Sequence, residues 1–157
     1  MPMYLSIVFS IFIYCTLGEI TTEDKMDMQS KFASMENELN NLFQQTVSEV
    51  RNTVDGRVIQ YKGRDDYRKA MCAEQLGRTL YVDVELKGRA DLVGLAGYFK
   101  TRRESIISPA TSQNELEATR VVVDNGTVTR QMQDNINKFK KFVSQKMLEY
   151  LENTSKC

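Results

Sequence analysis

Thr79-Leu80-Tyr81-Val82-Asp83-Val84-Glu85-Leu86-Lys87 alternates apolar and polar side chains without a break. Successive side chains of a strand point to opposite faces. Leu80, Val82, Val84 and Leu86 therefore fall on one face, and Tyr81, Asp83, Glu85 and Lys87 on the other. The pattern predicts a half-buried strand in a sheet with one solvated face. Gly77 ends the segment before it, and Gly88 to Asp91 reads as a turn.

Working outward from this strand, Asp65 or Asp66 can cap a short helix that runs to Leu76. Arg57 to Tyr61 reads as a short strand, with Lys62-Gly63 as its turn. Residues 91–108 suit a helix or a buried strand equally, because Gly94 and Gly97 weaken both. Ala118 to Val123 reads as a strand, and Thr127 to Thr129 as its return. Asp124-Asn125-Gly126 between them is a hairpin signal, since Asn and Gly tolerate positive φ.

Two long amphipathic helices flank this middle. From Thr22 to about Asn52 there is no Gly or Pro, and Thr21 or Thr22 can cap the start. Met28, Phe32, Met35, Leu39, Phe43, Val47, Val50 and Val54 recur in steps of three and four, which puts them on one stripe. Asp55-Gly56 is the expected stop. Near the other end, about Arg130 to Glu152, Met132, Ile136, Phe139, Val143, Met147 and Tyr150 form a second stripe. The expected fold is α+β. A long N-terminal helix, an antiparallel sheet of about three to four strands and a long C-terminal helix pack with the helices on one face of the sheet.

Met1 to Leu17 is an apolar run without Lys or Arg, followed by Gly18 and Glu19. It reads as a secretory signal peptide over residues 1–18, being shorter than the roughly 20 residues a membrane-spanning helix needs. Residues 19–157 then form a single secreted domain. No other run approaches membrane length, so no span is expected once the leader is gone.

The cysteines fit that compartment. Cys15 lies in the leader, which leaves Cys72 and Cys157. An even pair in an oxidising compartment reads as a disulfide; a covalent dimer through Cys157 and free thiols are the alternatives. Asn125-Gly126-Thr127 and Asn153-Thr154-Ser155 are N-glycosylation acceptors of the same compartment.

The formal net charge is zero but unevenly spread. Residues 19–55 carry 3 basic and 8 acidic side chains, and residues 56–110 carry 11 and 7. A neutral total argues against nucleic acid as a partner, which calls for a strongly basic surface. The asymmetry fits either an acidic N-terminal segment docked on the basic middle, within one chain or between two, or simply two solvated faces.

The chain contains no histidine. That removes the commonest general base, the histidine triads and the histidine-bearing zinc sites. No phosphate-binding loop and no calcium loop is present, so no cofactor or metal is expected. Carboxylate pairs are the remaining enzymatic option: Asp65 with Asp66, or Asp83 with Glu85 on the polar face of the strand. Against it stands the plainer reading that both acids are solvated and balanced by Lys87 or Arg78.

The leading expectation is a secreted, non-enzymatic protein that binds a protein partner or itself. Its contacts are Phe32, Met35, Leu39 and Phe43 of the first stripe, with Arg102 and Arg103 as a basic rim. The alternative is an extracellular carrier of a lipid or other apolar small molecule. Leu80, Val82, Val84 and Leu86 would line its cavity, with Phe139, Val143 and Met147 opposite. A carboxylate enzyme without histidine comes third.

Overall fold

A computed structural model describes residues 19–157; the leader read at 1–18 lies outside them. Helix α1, Thr22–Lys62, opens with a capping box: the Thr21 hydroxyl accepts from the Asp24 N–H at 3.1 Å, and the Asp24 carboxylate accepts from the Thr21 N–H at 2.9 Å. The stripe Met28, Phe32, Met35, Leu39, Phe43 and Val50 is buried along it and continues to Val58 and Tyr61. Gly56 does not stop the helix. It is solvent-exposed mid-helix, and the packing of Val58 and Tyr61 beyond it offsets its cost of about 1 kcal/mol. The strand expected at Arg57 to Tyr61 is the last turns of α1. The chain then reverses through Gly63 to Asp66, where Asp65 takes a left-handed φ of 58°.

Helix α2, Tyr67–Gly88, is capped by Asp66, whose carboxylate accepts from the Lys69 N–H at 3.1 Å. A π-helical turn, Arg89–Val93, joins it without a break to α3, Gly94–Ile107. This antiparallel second rod packs along α1. A Cβ on Gly77 would overlap Val54, and one on Gly88 would lie 2.5 Å from Phe43 Cδ2. Further along, Arg103 reaches Glu36 at 3.2 Å. The π turn adds a residue to the winding and so rotates the helix beyond it. Leu92, Ala96, Phe99 and Ile106 thereby continue the face begun by Ala70, Ala73, Gly77, Leu80, Val84 and Gly88.

Ser108 is extended ahead of Pro109, which ends α3. Helix α4, Gln113–Asp124, starts with a second capping box, Ser112 with Glu115. Asn125 and the left-handed Gly126, φ 71°, turn the chain into α5, Thr127–Lys156. Helix α5 runs back along α2: Lys146 meets Asp83 at 3.2 Å, and Cys157 is joined to Cys72. Tyr61 donates its hydroxyl to the Thr154 carbonyl at 3.0 Å, tying the end of α1 to the end of α5. The three rods share one core, with Phe32 and Phe99 at its centre and their rings 5.7 Å apart.

The α+β expectation is therefore overturned. The described residues are 89% helical and contain no strand. Thr79 to Lys87 lies within α2, so Leu80 and Val84 are buried while Val82 and Leu86 are 51% and 63% exposed. The buried set 70, 73, 77, 80, 84 and 88 has helical spacing, but two of its members are glycines and two are alanines. A hydropathy pattern does not register such positions, and the alternation of 79–87 stands out in their place. Ala118 to Val123 belongs to α4, and Thr127 to Thr129 is the first turn of α5. Asn125-Gly126 does make a turn, but it joins two helices. The ambiguous 91–108 segment is helical to Ile107.

Candidate functional site

Helices α1 and α5 cover two sides of α2, and its third side faces solvent. Val54 lies over Gly77 on the floor of an open groove of about 480 Å³ between α1 and α2. Arg51 of α1 reaches across it. Its guanidinium lies over the Tyr81 ring, 5.4 Å from the centroid, and donates to the Tyr81 hydroxyl at 3.3 Å. Glu74, Arg78 and Val82 of α2 form the far wall. Arg78 pairs with Glu74 at 2.8 Å, and its hydrogen bond and charge hold the Glu74 carboxyl below its usual range.

Four large apolar side chains of α2 stand outside the core beside this groove: Tyr67, Met71, Val82 and Leu86, each 51–72% exposed. At about 100° per residue they fall within an arc of about 100°. Ile59 of α1 is also exposed, two helical turns beyond Arg51. The apolar stripe left open is thus on α2, and it does not show as one stripe when the segment is divided into a helix ending at Leu76 and a strand from Thr79. Helical spacing of 67, 71, 82 and 86 is the sequence signal that could have found it.

The residues singled out from sequence are placed differently. Phe32, Met35, Leu39 and Phe43 are 0–8% exposed; the bundle covers that stripe with its own helices. Arg103 is tied to Glu36, whereas Arg102 stands over Tyr98, its Nε donating to the phenol at 3.0 Å. Leu80, Val84 and Phe139 are in the core, Val143 and Met147 are packed partly buried against it, and Val82 and Leu86 point outward, so the seven do not line one cavity. Cys72 and Cys157 are joined, closing a loop across 85 positions. Asn125 is exposed at the α4–α5 corner, and Asn153 is exposed on the last turns of α5.

Asp83 and Glu85 do not assemble into an acid–base pair. Two residues apart on a helix, Asp83 and Glu85 point to opposite sides, and they pair with Lys146 at 3.2 Å and Arg89 at 2.7 Å. Hydrogen bonds that the Lys146 ammonium donates to Asp83 and then Glu149 raise it above its usual value, which holds its proton more firmly. Burial raises the Tyr150 phenol further from neutrality. Among the described residues no cluster of three acids or cysteines is arranged to hold a metal ion. No helix among them is long and apolar enough to cross a membrane.

No family model, no curated protein and no solved structure matches the chain. Its function has to be argued from the α1–α2 face itself.

Proposed function

We propose that this is a secreted, non-enzymatic binding protein that acts by contact through the open face of α2 and its groove with α1. The carrying observation is the exposure of Tyr67, Met71, Val82 and Leu86 on one side of a helix whose other sides are packed. Leaving the exposed parts of such side chains in water forgoes a share of the roughly 1.5–3 kcal/mol that full burial gives each, so a face that carries two pairs of them is disposed to be covered. Arg51, Glu74, Arg78 and Tyr81 add the polar rim and aromatic–arginine anchors typical of contact surfaces. The Cys72–Cys157 bond accords with the oxidising compartment that the leader implies.

A photo-crosslinking amino acid in place of Val82 tests the reading in the medium into which the protein is secreted. A control carries the same group at Val121, which is 50% exposed on α4. A discrete protein adduct from position 82 and none from 121 is expected. No adduct from either site, or the same adducts from both, would remove the reading.

A further inference from the structure

The two N-glycosylation acceptors of the sequence are held in different ways. At Asn125-Gly126-Thr127 the chain turns between α4 and α5, with the left-handed Gly126 in the middle. Asn125 and Thr127 are both exposed. Among the described residues the Asn125 carboxamide makes one hydrogen bond, at its oxygen, which accepts from the Thr127 N–H at 2.9 Å. The Thr127 hydroxyl accepts from Arg130 at 3.3 Å and keeps its own proton to donate. An acceptor needs the Asn and the hydroxyl two positions on together, and this turn presents both.

Asn153-Thr154-Ser155 is wound into the last turns of α5. Asn153 is exposed, but the two residues after it are engaged. Thr154 is buried; its hydroxyl donates to the Leu151 carbonyl at 3.0 Å, and its carbonyl accepts from Tyr61 at 3.0 Å. The Ser155 hydroxyl donates to the Glu152 carbonyl at 2.6 Å. Cys157, just beyond, is bonded to Cys72. Presenting this tripeptide to an enzyme would unwind the end of α5 against all of these contacts.

We infer that Asn125 carries an N-linked oligosaccharide, and that α5, once folded and tied by the disulfide, keeps Asn153 bare. The inference rests on the secretory reading of the leader. The co-substrate is an oligosaccharide joined to a lipid through pyrophosphate. Asn125 Nδ2 attacks the anomeric carbon, and the new C–N bond forms as the bond from that carbon to the phosphate oxygen breaks. The lipid pyrophosphate leaves with the electron pair, and one amide proton passes to a base of the transferase.

The position decides what the glycan leaves free. Lys31 meets Asp124 at 3.4 Å and precedes Arg51 by 20 residues on α1, about 30 Å at 1.5 Å per residue. A glycan at Asn125 therefore stands far from the α1–α2 groove. Asn153, by contrast, borders the seam of α2 and α5 beside Leu76, Thr79 and Asp83, where a glycan would crowd α2. Val121, one turn before Asn125 on the same side of α4, lies near the glycan. The control crosslinker at 121 is accordingly read in an Asn125→Gln chain as well.

The full chain, leader included, is expressed in a eukaryotic cell that glycosylates secreted proteins, and is recovered from medium and cells alike. A glycosidase that cleaves at the asparagine turns each modified Asn into Asp, and peptide mass spectrometry gives the position. One glycan per chain, at Asn125, is expected. Asn125→Gln and Thr127→Ala should each remove it, and Asn153→Gln should leave it in place. Cys72→Ser keeps both acceptor tripeptides and frees the end of α5. It should add a second glycan at Asn153 in part of the chains, whether or not that variant is secreted. A parent with Asn153 modified as fully as Asn125 would overturn the inference. So would a Cys72→Ser chain still bare at Asn153, because folding would not then be what protects it. If the parent is secreted with Asn125 bare, the inference falls and the secretory reading stands. If the parent never enters the secretory pathway, both fall.

Discussion

Glycine settles how closely the rods approach. At Gly77 and Gly88 the missing side chains leave room for Val54 and Phe43, and a Cβ at Gly88 would also come within 3.1 Å of Phe139 Cζ. Gly97 is different: it sits in α3 with nothing within 4 Å of where a Cβ would be. The same substitution should therefore have opposite signs. Gly88→Ala is expected to lower stability by about 1–3 kcal/mol through overpacking. Gly97→Ala should raise it by about 0.5–1 kcal/mol, since alanine is the better helix former. Denaturant midpoints decide it, and a stabilising Gly88→Ala would mean that α1 and α2 do not approach this closely. These residues also show what the sequence hides. A buried glycine looks the same as a turn glycine in one dimension, and only the packing of the neighbouring helix tells them apart.

The elements were legible where their apolar side chains repeat in steps of three and four. The two long helices were readable for that reason, though α1 runs on to Lys62 past a glycine expected to end it, and α5 starts at Thr127. The start of α1 was readable to within a residue, at Thr21 or Thr22; the structure gives the cap to Thr21, which has an acid three positions on. Helix α4 was not readable: the run Val121-Val122-Val123 favours a strand, and its burial of Leu116, Thr119 and Val123 depends on a core built by distant helices. Both capping boxes carry a pH dependence. Backbone and side-chain hydrogen bonds from Thr21 and Ser112 hold the Asp24 and Glu115 carboxyls below their usual range. A carboxyl lowered by folding adds stability above its unfolded pKa and loses it as pH falls through its folded pKa. Stability should accordingly decline between about pH 5 and about pH 2, and Glu115→Gln should flatten that decline. Chemical denaturation across the range checks it; equal slopes for parent and variant would show that the box does not form.

At the scale of the molecule, three rods close one core and the disulfide ties its ends. Cys72 is in the second turn of α2 and Cys157 just beyond α5, so the bond fixes the last helix to the second. A loop of that length is worth about 4–5 kcal/mol in the chain-entropy model. Reduction should lower the unfolding free energy by that order without changing helix content. Melting of α5 upon reduction, with loss of far-ultraviolet ellipticity, would mean that the Phe139 and Tyr150 packing cannot hold it unaided. The candidate contact face was not legible, because it depends on which side of α2 the other rods leave open. Fold and contact face both depend on the winding of α2, which turns Val84 into the core and Val82 into water although both would share one face of a strand. Thiol labelling rates of Val82→Cys and Val84→Cys test this directly. Rapid labelling at 82, and labelling at 84 only as fast as the bundle opens, is the predicted result. Equal rates at the two positions would contradict it.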